Sequence, residues 1–130
     1  MVSPGSASGS QVVEAARQFL GTPYVWGGGN INGTTGGGFD CSGLTSYAIY
    51  KGSGNKITLP RTSEQQWNVG VEIPIDQAQA GDLVFGSWAG TDPGHVGIAI
   101  GGGQMIHAPT TGDVVKQAPL QSDMKARRVL

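Results

Sequence analysis

In the first half of the chain apolar residues recur at three- and four-residue steps; in the second half they alternate with polar ones. Val12, Val13, Ala16, Phe19 and Leu20 make one stripe of a helix that Ser10 can cap and Gly21 stops, with Pro23 following as it commonly does after a helix end. Leu44, Tyr47 and Ala48 mark the inward face of a second helix, predicted from Asp40 or Cys41 to Tyr50 and ended by Gly52. A third, shorter helix starts at Thr62, whose spacing to Gln65 is that of a capping box, and Gly70 closes the turn. Between the first two helices, Trp26 to Gly38 is mostly Gly, Asn and Thr and reads as a surface loop.

Beyond residue 80 the period changes from helical to alternating. Short strands are predicted over 82–85, 96–100, 104–108, 114–116 and 127–130, with Gly101, Gly102 and Gly103 turning a hairpin between the second and third. Helices first and strands afterwards specify an α+β domain, its helices packed on one face of an antiparallel sheet of about five strands. The hairpin carries a geometric consequence. His95 and His107 lie 12 residues apart around the turn, and a turn with an odd number of residues puts both on the same sheet face. Val96, Ile98 and Ile100 then line the opposite, oily face. The histidine face also carries Gly97 and Ala99, too small to fill a core alone, so a close-packing element is expected over them, and the helix bearing Cys41 would fit.

Composition narrows the classes of function. A chain of 130 residues is expected to form one domain with one hydrophobic core. Its net charge of −1 gives no reason to expect nucleic acid or an acidic membrane as partner. Charged residues make up 13% of the chain, roughly half of the usual share of about 25%. No run approaches the ~18 consecutive apolar residues of a transmembrane helix, and the first residues lack the charged start and apolar stretch of a signal peptide. The opening MVSPGSASGS, residues 1–10, reads as a flexible linker or an appended end, with the folded domain expected over 11–130.

Cys41 is the only cysteine, so no intramolecular disulfide is available. Alone it would be read as a small buried hydrophobe. It sits, however, where a helix starts, and the chain's only two histidines fall on one face of the hairpin. A helix N-terminus and a nearby imidazolium lower a thiol's pKa, one imidazole can act as base and acid, and a second can orient the first. Together these features favour a nucleophile. Cys41, His95 and His107 could in principle ligate zinc, but no CxxC or HExxH spacing supports a metal site. The glycine-rich loop lacks the lysine of a phosphate-binding GxxxxGK[ST] frame.

Six blocks, GTPYVWGG (21–28), FDCSGL (39–44), RTSEQQ (61–66), GDLVF (81–85), GHVGIAIG (94–101) and MIHAP (105–109), resemble in order and spacing those of the NlpC/P60 peptidases, and ARRVL (126–130) is similar to that family's closing strand. The resemblance implies a compact papain-like α+β fold and a cysteine endopeptidase that cuts peptidoglycan stem peptides at the D-isoglutamyl bond to the diamino acid, without cofactor. It implies Cys41 as nucleophile, His95 as base and His107 as orienting residue. It further implies Tyr24 near the oxyanion, and Asp40 and Ser42 as contacts for the substrate. Expected with it are a peptidoglycan partner, no metal, a monomer within a larger multidomain parent, and a location outside the cell membrane, in cell wall or periplasm. Two alternatives accompany this reading: a catalytically weak wall-binding module, and a CHAP-like amidase or endopeptidase that cuts a different bond. The stretch between Tyr24 and Cys41 is several residues longer than the family's usual one, and Trp88 stands beyond GDLVF where a second aromatic commonly follows directly.

Overall fold

The computed structural model describes residues 7–130. Three helices, α1 (Ala7–Arg17), α2 (Cys41–Gly52) and α3 (Ser63–Gln66), precede all the strands. Strands β1 (Val71–Ile73), β2 (Leu83–Ala89), β3 (Asp92–Gly101), β4 (Gln104–His107), β5 (Lys116–Pro119) and β6 (Lys125–Arg128) form one antiparallel sheet in the order β1-β6-β2-β3-β4-β5. The α+β reading holds, with one strand more than expected. β1 escaped notice because its three residues are too few to show alternation, and it pairs only with the last strand.

The helix that Ser10 was expected to cap begins earlier, at Ala7, so residues 7–10 belong to it rather than to a linker, and residues 1–6 lie outside the described residues. Its regular part ends at Arg17. The chain then tightens into turns in which Phe19 N–H reaches Ala16 C=O and Leu20 N–H reaches Arg17 C=O. This unwinding separates two residues of the predicted stripe. Phe19 packs edge-on against Phe39 (4.9 Å) and Tyr47 (5.2 Å), whereas Leu20 turns outward. Further on, the strand expected over 114–116 forms at 116–119 instead, because Val114 and Val115 bond to Thr22 and Pro23 rather than to the sheet.

The sheet buries both faces. On one, Leu83, Phe85, Val96, Ile98 and Ile106 meet Val12, Ala16, Leu44, Ala48 and Ile49 of α1 and α2. On the other, Val84, Ala99 and Met105 pack with Met124 and Ala126, and Ile73, Ile75 and Leu120 close over them. The expectation that the Cys41 helix covers Gly97 and Ala99 is therefore wrong. That helix lies on the Val96–Ile98 face, and the space beside Gly97 is taken by the neighbouring strand, where an added Cβ would meet His107 Cβ at 3.1 Å and Met105 Sδ at 3.2 Å.

The two histidines do share a face, by a route different from the one predicted. Gly102 and Gly103 form a two-residue tip with φ of +64° and +75°, pairing Gly101 with Gln104. Continued regularly, that register would put His95 and His107 on opposite faces. A bulge between Ala99 and Gly101 shifts it by one, so that Ile98 pairs with Ile106, and restores equal parity. A second break lies at Ser87, whose φ of +54° interrupts the alternation of β2, and Trp88 then packs on the Trp67 ring (5.0 Å) that also touches Phe85.

The entry to α2 is a close backbone approach. Gly28 C=O accepts from Asp40 N–H at 2.9 Å, and a Cβ on Gly43 would lie 2.0 Å from that same carbonyl oxygen. Helix propensity alone favours alanine over glycine there by about 1 kcal/mol. The overlap reverses the sign: Gly43→Ala should lower stability by about 1–3 kcal/mol, read as a shift of the urea midpoint at unchanged slope.

Candidate active site

A groove of about 460 Å³ runs past the N-terminus of α2, lined among others by Tyr24, Trp26, Asp40, Cys41, Ser42, Arg61, Glu64 and Gly94. Each side is set by a local sequence rule. Asp40 is the N-cap of α2, with Oδ1 accepting from Gly43 N–H at 2.7 Å, which starts the helix at Cys41. Tyr24 is held by backbone bonding on two sides: its N–H donates to Asp113 C=O, and Pro23 and Val25 bond to Phe39. Thr62 and Gln65 make the predicted capping box of α3, which presents Ser63 and Glu64 to the groove. Ser63 Oγ–H donates to Pro93 C=O at 2.8 Å and so ties α3 to the start of β3.

Cys41 lines this groove, whereas His95 and His107 are buried and not among its lining residues; Gly94, the residue before His95, is. His95 Nε2 and His107 Nδ1 are 2.7 Å apart in a buried hydrogen bond, the rings meeting edge to face. Cys41 hydrogen-bonds with the backbone of Val96, the residue after His95. The bond between the imidazoles uses Nε2 of His95 and leaves its Nδ1 as the nitrogen for any further partner. Burial pushes the Cys41 thiol above its ordinary value; Asp40 adds to this, while backbone bonding to Val96 and Ser42 and the Arg61 charge oppose it. Burial and the neighbouring His107 lower His95 to about 4. His107 is lowered by burial and by Lys116, against an upward pull from Asp113. Thiol and imidazole are thus both neutral at pH 7. The Tyr24 hydroxyl, raised by burial and then by Cys41 and Asp40, stays protonated and remains a donor.

Asp40 and Ser42 are brought to the groove, but their polar atoms are engaged within the protein. Asp40 Oδ1 also meets Arg61 Nη2 at 3.1 Å, and Oδ2 accepts from Gly27 N–H at 3.2 Å. Ser42 Oγ accepts from Arg61 Nη1 at 2.7 Å and lies 3.3 Å from Asp40 Oδ1. Arg61 completes its set on Gly28 C=O at 3.1 Å. Two residues of this arrangement were not singled out from the sequence: Arg61, and Gln66, which is fully buried. Gln66 Nε2 donates to Ser42 C=O (3.2 Å), Ser46 Oγ (3.2 Å) and Pro60 C=O (2.9 Å), and its Oε1 accepts from Thr45 Oγ1 (2.7 Å). The RTSEQQ block held both, but a polar residue's burial is not legible from its neighbours in sequence. Among the described residues no group of three or more His, Cys, Asp or Glu side chains could hold a metal ion, and no helix is long and apolar enough to cross a membrane.

Thiol reactivity should follow the neutral resting pair. Alkylation of Cys41 by iodoacetamide is expected to climb with pH to beyond 9, without the acid plateau of a preformed thiolate–imidazolium pair, as read by mass spectrometry. Stability has its own pH dependence. Above about 6.5 His95 is neutral in both folded and unfolded chains. Between there and about 4 the unfolded chain takes up a proton that the folded one refuses, so stability should fall as pH drops, by up to ~1.4 kcal/mol per unit. Urea unfolding of wild type and His95→Gln across this range should show the shallower dependence in the variant.

The comparisons with known proteins agree with this architecture. The NlpC/P60 family profile matches residues 21–130. The chain is 38% identical over 126 residues to peptidoglycan endopeptidase RipA of Mycobacterium tuberculosis, covering 91% of this chain and 26% of RipA. It is 38% identical over 117 residues to the gamma-D-glutamyl-L-lysine dipeptidyl-peptidase of Bacillus subtilis, covering 88% and 37%. Among solved structures, RipD of Mycobacterium tuberculosis, described as a non-catalytic NlpC/p60 domain protein adapted to peptidoglycan binding, superposes with a TM-score of 0.78 at 35% identity, covering 95% of this chain and 98% of that one. The chain spans roughly a quarter to a third of the length of the two curated relatives. With the profile matched from Gly21 to the last residue and the fold shared, this chain belongs to the NlpC/P60 family.

Proposed function

We propose that the chain is the catalytic domain of a peptidoglycan hydrolase, a cysteine endopeptidase acting on the D-isoglutamyl bond of the stem peptide, within a larger protein that works in the cell wall. The observation that carries this reading is the buried 2.7 Å bond between His95 Nε2 and His107 Nδ1, with the Cys41 thiol against the next backbone unit of β3. Two buried imidazoles joined in this way have no value as core packing, since each gives up solvation for a single shared hydrogen bond. They have value as a base and its orienter. The relatives named above, a peptidoglycan endopeptidase and a γ-D-glutamyl-L-lysine peptidase, support the substrate class.

In this mechanism His95 carries its proton on Nε2 and donates it to His107 Nδ1, which leaves Nδ1 of His95 basic. Cys41 Sγ attacks the D-isoglutamyl carbonyl carbon as Nδ1 takes the thiol proton. The tetrahedral intermediate's oxygen is met by the Tyr24 hydroxyl and the Cys41 backbone N–H. Collapse expels the amine of the diamino acid, protonated by His95, and leaves a thioester. Water, deprotonated by His95, then hydrolyses it and releases the carboxylate. Forming the ion pair only during reaction suits the lowered His95, since a weakly basic imidazole returns its proton readily to the leaving amine.

The wall-binding alternative rests on the similarity to RipD, and activity separates the two. Purified sacculi digested with wild type should release muropeptides with new N-termini at the diamino acid, and Cys41→Ala should release none. Equal release by the variant, or none by wild type, sinks the catalytic assignment, and fragments cut at another bond favour the CHAP-like chemistry. Tyr24→Phe should retain cleavage at a rate lower by roughly a hundredfold, the scale of one lost oxyanion donor.

A further inference from the structure

The groove contains one charge that the fold does not answer. Asp40 and Arg61 cancel one another at 3.1 Å, and all the remaining Arg61 contacts point inward, to Ser42 and Gly28. Cys41 and Tyr24 are neutral. Glu64 also lines the groove, exposed, on the second residue of α3. Its carboxylate lies 2.6 Å from Ser63 Oγ, whose one proton it shares with Pro93 C=O, and among the described residues it meets no cation. Ser63 is itself buried, so the hydroxyl that faces the carboxylate has a fixed position. An anion at the rim of an otherwise charge-balanced groove gives the site a net negative field within the ~8 Å over which charges act in physiological salt.

We infer that Glu64 is a specificity-determining residue that forms an ammonium subsite, taking a cationic amine of the peptide substrate. The inference rests on the peptidase reading for its substrate and adds to it a charge requirement. A stem peptide offers two sources of that chemistry: the side-chain amine of the diamino acid, and the α-amine of a peptide released from its glycan. Either would pair with the free oxygen of Glu64 while Ser63 holds the other. A partly exposed pair of this kind contributes an effect of about two- to fivefold.

The test uses L-Ala-γ-D-Glu-L-Lys-D-Ala in four forms: both amines free, the α-amine acetylated, the ε-amine acetylated, and both acetylated. Steady-state kinetics are measured on wild type and Glu64→Gln, which keeps the Ser63 hydrogen bond and removes the charge. Calorimetric binding is measured on the same pair in a Cys41→Ala background. Glu64→Gln should raise KM and Kd about fivefold for the free peptide, with kcat changing less than KM. Acetylating the recognised amine should abolish the difference between the two proteins, and whichever acetylation does so identifies the source. Raising the salt should weaken binding to the Glu64 protein and leave the Gln variant nearly unaffected. A change below twofold for every peptide, or an equal loss when both amines are blocked, overturns the inference. If no peptide is cleaved but binding still depends on Glu64 and a free amine, the peptidase reading fails and the subsite stands. If Cys41-dependent cleavage is seen and Glu64→Gln changes nothing, the reverse holds.

Discussion

The arrangement of this domain depends on a single carboxylate. Asp40 caps α2, accepts from the Gly27 amide of the preceding loop and pairs with Arg61 from the segment ahead of α3, so three separate stretches of chain converge on its two oxygens. The convergence fixes where the helix starts, and therefore where Cys41 stands. The glycine pair Gly28 and Gly43 lets the loop carbonyl approach close enough for Asp40 N–H and Arg61 to share it. Gln66 repeats the logic one residue further on by holding Ser42 C=O from α3. A residue at a helix start would otherwise fray with its first turn; here Cys41 is tied from the loop before it and the helix after it.

The second half of the site is set by the sheet, through an irregularity rather than through regular pairing. The hairpin's tip alone would put the histidines on opposite faces, and the bulge beside Ile100 brings them back together. His107 can then occupy the space that Gly97, opposite it, leaves open. The bend at Ser87 has a related effect on the other side of β3, where it releases Trp88 to the Trp67 ring while Gly94, opposite the bend, lines the groove. Both irregularities flank the segment that carries His95, which is where a strand must serve a site as well as a sheet.

How much of this was legible follows from the range of each interaction. Local rules located α2, the Thr62–Gln65 capping box and the glycine hairpin, because each is encoded within a few residues. The equal parity of His95 and His107 was reached with the wrong turn length, since a bulge leaves no mark in an alternating sequence. The face on which α2 packs was misjudged for a related reason: small residues at Gly97 and Ala99 signal close approach, but not whether a helix or a neighbouring strand approaches. Arg61 and Gln66 went unnoticed because their role is to connect segments, and a polar residue in a short helix looks the same whether it faces water or a buried carbonyl.

The electrostatics explain why so few charges suffice. Within the site the groups that would react, thiol and imidazole, are neutral through burial, and the charged groups, Asp40 and Arg61, are locked together in a structural pair. Reactivity is thereby separated from scaffolding: the ion pair that the proposed chemistry needs exists only while a substrate is being attacked, and the permanent ion pair never takes part. Such a separation leaves the groove's external field to be set by a residue outside both sets. Glu64 holds that place, on a helix short enough that its outward position costs nothing in core packing. Charge selection can then vary by substitution at this one exposed position, without disturbing the thiol, the imidazoles or the carboxylate that holds them in register.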